Sequence, residues 1–267
     1  MIELKNVTYT YSKDTPFEKE AVAGVDLVVE KGEILGIIGH TGSGKSTLVQ
    51  LMNGLLTPTK GEVRVEGNKV ERVLPQIGMV FQYPENQIFE ETVYKEIAFG
   101  PANMGMGGEE LERRVAKTAE IMDIPAEIMK KSPHFLSGGQ KRRIAIAGIL
   151  AMEPGTIIFD EPTAGLDPRA KNHLIDTILT LNREHGVTVI LVSHSMEEIA
   201  RTCNRILVMR DGKVAHIGTV TEVFSHEDEL LEMGLDIPEI AQLMRRLGYH
   251  DCWTVEQATE KLKEAAC

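Results

Sequence analysis

One stretch constrains this chain more than any other: Gly39-His40-Thr41-Gly42-Ser43-Gly44-Lys45-Ser46-Thr47, which fits G-x-x-x-x-G-K-[ST] without a mismatch. Before it, Glu33-Ile34-Leu35-Gly36-Ile37-Ile38 is short and apolar and reads as a buried strand. After it, Leu48, Leu51, Met52 and Leu55 recur at helical spacing. Strand, glycine-rich loop and helix in that order make the motif a phosphate-binding loop. Glycines let the backbone close around phosphates. Successive N–H groups and the helix N-terminus then face the anion. Lys45 is placed to reach the β- and γ-phosphates, and Ser46 to offer its hydroxyl to Mg²⁺. His40 reads as a spacer within the loop. A nucleoside triphosphate site over residues 39–47 follows; what its energy drives must be read elsewhere.

Length bounds the answer: 267 residues suffice for one large α/β domain and an appendage. The net charge of -11 argues against a general nucleic-acid binder, which needs a basic face. Cys203, Cys252 and Cys267 lack metal-ligand spacing and suit a reducing compartment. Met1-Ile2-Glu3-Leu4-Lys5 does not read as a signal peptide. No apolar run reaches the roughly 18 residues of a membrane span. A soluble chain that docks onto a membrane protein fits this balance.

Along the chain, alternation predicts strands over 2–10 and 21–30, with shorter ones at 62–66 and 77–81. Helical patterns follow at 92–99, 109–122, 126–131 and 138–151, with residues 100–108 as a flexible break. Strands at 156–159 and 187–192 alternate with helices at 168–185 and 196–202, which implies a mainly parallel core sheet. Asp211-Gly212 marks a hairpin between strands 205–210 and 213–218. Two amphipathic helices close the chain, one with Ile240, Leu243, Met244 and Leu247 on one face, the other over 254–266 behind a capping box. The expected architecture is an α/β core with a parallel sheet, an antiparallel β subdomain, an inserted helical subdomain at about 83–152 and a small helical tail at 226–267 after a domain of residues 1–225.

Further stretches carry chemistry. Leu136-Ser137-Gly138-Gly139-Gln140 sits at the mouth of a helix and has the means to bind phosphate, although one nucleotide needs only one such loop. A second loop on the same chain therefore suits another molecule's nucleotide. Ile157-Ile158-Phe159-Asp160-Glu161-Pro162 is an apolar strand ending in two carboxylates. Asp160 can hold Mg²⁺, and Glu161 can orient and deprotonate water. Ala164-Gly165-Leu166-Asp167 follows, and His194 stands just past the strand at 187–192. Lys141, Arg142 and Arg143, at a helix start, read as a solvated basic face.

Taken in order, these motifs resemble those of an ATP-binding-cassette ATPase, a P-loop NTPase, along nearly the whole chain. The resemblance makes residues 39–47 its Walker A motif, Gln82 its glutamine loop, 136–140 its signature, 156–161 its Walker B motif, 164–167 its D-loop and His194 its switch histidine. It implies a metal and water role for Gln82 and adenine stacking for Tyr11. A narrower resemblance lies in Val80-Phe81-Gln82-Tyr83-Pro84-Glu85-Asn86-Gln87-Ile88-Phe89 and in Val93–Pro101, which are similar to the ATPase subunits of energy-coupling-factor importers. Gly39-His40-Thr41-Gly42 and Thr15-Pro16-Phe17-Glu18 resemble the second of their two paired ATPases.

What the resemblance implies is specific. Two chains sandwich two ATP molecules, with Lys45, Ser46, Gln82, Asp160, Glu161 and His194 of one chain facing Ser137, Gly138, Gly139 and Gln140 of the other. Ser46, Gln82 and Asp160 are the metal residues. The partners are a second, related ATPase (a homodimer being the alternative), a transmembrane coupling subunit and a substrate-binding membrane subunit. The cargo is a vitamin or a transition-metal ion, the location the cytoplasmic face of the cell membrane, and no nucleic acid is involved. Another kind of cassette importer, or a cassette ATPase outside transport, is the alternative. A chromosome-associated cassette would carry a sustained coiled coil before the signature, and none occurs here.

Overall fold

A computed structural model describes residues 1–265; Ala266, the last residue expected in the closing helix, and Cys267 lie outside the described residues. In chain order come β1 (Ile2–Tyr11), β2 (Lys19–Val29), β3 (Ile34–Gly39), α1 (Lys45–Asn53), β4 (Lys60–Val65), β5 (Asn68–Lys69) and β6 (Ile77–Val80). Next are α2 (Val93–Asn103), α3 (Gly108–Ile121), α4 (Gly138–Leu150), β7 (Thr156–Asp160), α5 (Pro168–His185), β8 (Thr188–Val192) and α6 (Met196–Thr202). The chain closes with β9 (Arg205–Arg210), β10 (Lys213–Thr219), α7 (Val220–Ser225), α8 (Glu227–Glu232), α9 (Glu239–Arg246) and α10 (Val255–Ala265). Two compact units emerge: residues 1–73 together with the chain from Val189 onward, and Leu74–Thr188.

In the first unit, β1 lies between β2 and β4 in an antiparallel sheet, with β5 at the far edge. Ile2 and Leu4 of β1 turn inward by period-two alternation, and a register shift between Leu4 and Val7, where Asn6 takes φ 47°, brings Val7 inward as well. A second set of strands centres on β3, which pairs in parallel with β8 and β9; β10 runs antiparallel to β9. All six residues of β3 are buried, the mark of a strand covered on both faces. Gly36 is needed there: a Cβ would sit 2.8 Å from Cys203 Sγ. That thiol is fully buried, and burial pushes its pKa up, so it is an inert packing group.

The closing helices pack on one another around Met244, Cys252 and Ala258. Trp253 anchors them to α7 by donating from Nε1 to Thr221 Oγ1 at 3.1 Å, with Arg245 stacked on its ring. Both α7 and α8 are absent from the periodicity reading. At six residues each they are too short to show a period, although Thr219 and Glu222 form a legible capping box before α7.

In the second unit β6 and β7 pair in parallel, Ile77 opposite Thr156. α5 begins where Asp167 caps it, accepting from the N–H groups of Arg169 (2.9 Å) and Ala170 (3.0 Å), and ends at left-handed Gly186. Two expectations change here. The helix expected at 126–131 is only a 3₁₀ turn, Ala126–Ile128. Its exit is spent on α2: the carbonyls of Lys131 and Met129 accept from the orphan N–H groups of Val93 and Tyr94 at 3.0 and 2.9 Å. The flexible break is shorter than expected, because α2 runs through Gly100 and Pro101 to Asn103. Gly100 is a packing residue: a Cβ there would lie 2.8 Å from Met152 Cγ, beyond the end of α4.

Gly61 and Gly67 offer a matched test of this architecture. Both have positive φ (76° and 77°), but a Cβ at Gly61 would meet Asn6 O at 2.2 Å, whereas Gly67 has open space. Gly67→Ala should cost only the left-handed strain of about 1–2 kcal/mol, and Gly61→Ala clearly more. Urea unfolding of the two variants measures the difference, and equal losses would contradict the close approach of β4 to β1.

Candidate nucleotide site

In the first unit the loop after β3 is held from below by neighbouring backbone. Gly212 N donates to Ser43 O at 3.0 Å, and Gly212 O accepts from Ala23 N at 2.8 Å. The β9–β10 turn thereby ties the loop to β2. A Cβ at Gly44 (φ 103°) would lie 2.2 Å from Ala21 O, so only glycine fits where the loop enters α1. Lys45 folds back over the loop and donates to the carbonyls of Gly39 (2.8 Å) and His40 (3.1 Å). The His40 ring contacts Thr41 O at 2.9 Å and lies 3.6 Å from the Asp211 carboxylate.

The residues at 39–47 fit a phosphate group on their own geometry. Ser43 Oγ is buried and has no hydrogen-bond partner. α1 carries no side-chain cap and no acidic residue in its first turn, so its leading N–H groups are not spent on its own side chains. Ser46 stands at the second position of that helix, and Thr47 Oγ1 is hydrogen-bonded to the Tyr11 hydroxyl at 3.1 Å. Tyr11 is 38% exposed, with its ring edge-to-face on Tyr9.

Beyond β8, exposed His194 sits in a turn clamped by its neighbours. Ser193 Oγ donates to Glu198 Oε2 at 2.6 Å and accepts from Ser195 N at 3.0 Å. Both Ser193 and Glu198 are buried. Sequence reasoning passed over this pair, whose only signal is Ser-His-Ser-Met-Glu-Glu at a helix start.

In the second unit the structure brings together residues expected to share the chemistry. Gln82 Nε2 donates to Glu161 Oε2 at 2.8 Å. Asp160, the last residue of β7, is buried beside it in sequence. Glu161 (φ 52°) and Tyr83 (φ 54°) both adopt the left-handed region, a strain of about 1–3 kcal/mol each for residues with a Cβ. Ser137 caps α4 in a capping box with Gln140, whose Oε1 accepts from Ser137 N at 3.0 Å. Gly138 and Gly139 are exposed, and a Cβ at either would meet nothing within 4 Å. Nothing in this unit requires glycine at those positions. Ser137, Gln140 and Asp167 share the wall of a cavity of about 410 Å³ with Arg143, Arg169 and His173.

The strongest correction to the sequence reading concerns Arg142. It is not part of a solvated face but is 4% exposed. Its Nε and Nη2 donate to the two oxygens of Glu85 at 2.8 and 2.7 Å. Nη1 donates to the carbonyls of Pro162 (3.0 Å) and Ala164 (2.7 Å). One guanidinium thus joins the segment after Gln82, the loop after Glu161 and the helix that starts at the signature. Burial works to raise the Glu85 pKa, but the hydrogen bonds from Arg142 and from its own backbone outweigh it, and the carboxyl is held below its ordinary 4.5.

Comparison with known proteins gives a consistent picture. Residues 22–164 match the ABC transporter family, and a shorter match to the AAA domain of a putative AbiEii toxin overlaps it at residues 130–200. A protein of Acetivibrio thermocellus called energy-coupling factor transporter ATP-binding protein EcfA2 is 46% identical, over 98% of this chain and 97% of its own. The protein of the same name from Clostridium perfringens is 44% identical over 98% and 97%. Among solved structures, cbiO1 of Clostridium perfringens, part of the ABC transporter complex cbiONQ, superposes with a TM-score of 0.77 at 34% identity, covering 91% of this chain and 98% of that one. The cassette MJ0796, a dimer in a post-hydrolysis state bound to ADP and Pi, gives 0.73 at 33% identity, covering 82% and 99%.

Removing the guanidinium tests the Arg142 junction. Arg142→Gln strands the Glu85 carboxylate and two carbonyls, at a cost of about 3 kcal/mol. Hydrogen exchange should quicken at residues 82–87 and 161–165. Because the Glu85 pKa is lowered on folding, the pair contributes fully above pH 4.5 and is lost as pH falls through the lower folded value. The acid limb of the stability curve should therefore be shallower in the variant than in the wild type.

Proposed function

This chain belongs to the ATP-binding-cassette ATPases, as an ATP-binding subunit of the energy-coupling-factor transporter type, and from that premise we propose how its residues divide the work. The backbone N–H groups of Gly42, Ser43, Gly44 and Lys45 and the start of α1 take the phosphates. Lys45 exchanges the carbonyls of Gly39 and His40 for the β- and γ-phosphate oxygens. Tyr11 stacks on the adenine. Ser46, Gln82 and Asp160 carry the oxygen donors that a hard cation prefers, and Mg²⁺ held by them supplies charge neutralisation on the phosphates. Glu161 takes the proton of the attacking water, Gln82 holds that water in line, and His194 steadies the terminal phosphate.

The single observation that supports this most is the 2.8 Å hydrogen bond from Gln82 to Glu161. It leaves one glutamate oxygen in a fixed place and gives the amide a reason to move when a ligand claims it. Ser137, Gly138, Gly139 and Gln140 serve the nucleotide of a second cassette; the open space around both glycines supports this. The dimeric MJ0796 cassette with its ADP and Pi is the precedent for such a pair. ATP closes the two chains, and hydrolysis and phosphate loss reopen them.

The work passes to a membrane partner through residues 83–110. Tyr83, Phe89 and Phe99 are exposed there, the last two edge-to-face at 4.7 Å. The segment starts one residue past Gln82, so nucleotide state can move it as a body. Among the described residues no helix is long and apolar enough to cross a membrane. By likeness to the energy-coupling-factor relatives, we infer that the chain sits peripherally on the cytoplasmic face, against a transmembrane coupling subunit and a substrate-binding subunit, where it drives uptake of a vitamin or a transition-metal ion. Residues 226–267 hold it to a related second ATPase. Leu243 on α9, Leu247 just past its end, and Val255 and Leu262 on α10 remain exposed for that contact.

Glu161→Gln should keep ATP affinity while turnover falls by about 10²–10⁴, since the amide holds water but cannot accept its proton. ATP-dependent closed dimers should then accumulate in size-exclusion chromatography. Near-wild-type turnover would place the base elsewhere. Deletion of residues 226–267 should spare nucleotide binding and weaken pairing with the related subunit when nucleotide is absent. Analytical ultracentrifugation of the mixed subunits measures it, and a full-length chain that is a tight, active dimer alone would replace the heterodimer with a homodimer.

A further inference from the structure

Away from the nucleotide residues, three side chains converge where β10 leads into the closing helices. His216 lies on β10 and is about one-fifth exposed; His226 lies at the joint between α7 and α8; Glu229 follows it on the same face of α8. His216 Nε2 is 2.8 Å from Glu229 Oε2, and His226 Nδ1 is 3.1 Å from Glu229 Oε1. The two imidazoles stack at 4.6 Å with 24° between their planes. Both rings therefore aim a nitrogen at one carboxylate from the same side, and one donor atom from each residue lies within 4.8 Å of the others.

We propose that His216, His226 and Glu229 bind one divalent transition-metal ion of the zinc type. Two imidazole nitrogens and one carboxylate oxygen are a borderline donor set. It suits Zn²⁺, Co²⁺ or Ni²⁺, whereas Mg²⁺ and Ca²⁺ take oxygen ligands throughout. Around a tetrahedral ion with bonds of about 2.1 Å the donors stand about 3.4 Å apart, so the present spacing closes by small rotations of the three side chains. Three protein ligands leave a fourth position to water. An ordinary histidine–glutamate ion pair needs one ring, and the second, stacked ring is the feature that such a pair leaves unexplained.

The consequence is mechanical. Among the three ligands, His216 belongs to the edge strand of the core set, His226 to the joint between the first two helices after it and Glu229 to the second of them. A bound ion fastens α8 to β10. The site depends on no step of the nucleotide chemistry, so it stands or falls independently of the transport reading.

Full-length protein stripped by chelator and titrated with zinc chloride in a calorimeter tests this, with thermal unfolding recorded in parallel. One ion should bind per chain, and the unfolding midpoint should rise with zinc. His226→Ala and Glu229→Gln, both on half-exposed side chains, should retain the zinc-free midpoint. Each should lose at least about tenfold in zinc affinity, since a direct ligand counts for no less than an outer-shell partner, together with the zinc-dependent rise. Cobalt should give a visible spectrum in the wild type that is absent in both variants. Undiminished one-to-one zinc binding in both variants, or no stoichiometric binding by the wild type at millimolar zinc, would overturn the assignment.

Discussion

The second unit depends on a buried charge. Arg142 spends four hydrogen bonds on Glu85, Pro162 and Ala164, and the two to the Glu85 carboxylate, at 2.8 and 2.7 Å, lie in the range of strong charge-assisted pairing. Burying a guanidinium is costly, and the cost is met only when its donors are used and its charge is opposed. Both conditions hold here, with a bidentate carboxylate on one edge and two carbonyls on the other. Because those partners come from two separate stretches and the arginine from a third, it sets the mutual position of the segment after Gln82, the loop after Glu161 and the helix that starts behind Ser137. A movement of any one must be felt by the other two.

The nucleotide loop in the first unit depends on backbone instead. Gly212 joins Ser43 to Ala23, and Ala21 O stands where a Gly44 side chain would be. The loop is thus shaped before any ligand arrives, which lowers the cost of ordering it on binding. Lys45 is held over the loop carbonyls, and Ser43 Oγ is buried without a partner. The unsatisfied hydroxyl and the uncapped start of α1 are costs to the free protein that an anion relieves. Strain is concentrated similarly in the second unit, where Glu161 and Tyr83 hold left-handed backbone on either side of the Gln82–Glu161 hydrogen bond. Rigid neighbours, β7 and the Arg142 cluster, keep them there.

Much of this was legible in the amino-acid order, because the relevant forces are local. A glycine-rich loop between an apolar strand and a helix, a strand ending in Asp160 and Glu161, and Ser137 three residues before Gln140 each signal themselves within a few positions. Their order along the chain was enough to suggest the family, and the relatives bear that out. Where the reading failed, the deciding contact was distant in sequence. Arg142 looked like one of three surface cations because its partners lie 57, 20 and 22 residues away. Residues 126–131 looked helical because nothing local shows that their carbonyls cap α2. Gly100 looked like part of a flexible break because Met152 is invisible to periodicity. His216 and Glu229 stand thirteen positions apart, and only the turn of the chain through α7 and α8 brings both imidazoles to one carboxylate. Sequence by itself determined the phosphate loop, the carboxylate-bearing strand and the alternation of elements, since these follow from spacing and backbone propensity. Tertiary structure alone decided which charges are buried, which glycines are for packing and which side chains meet, since those depend on the low-dielectric interior and on distances that sequence separation does not encode.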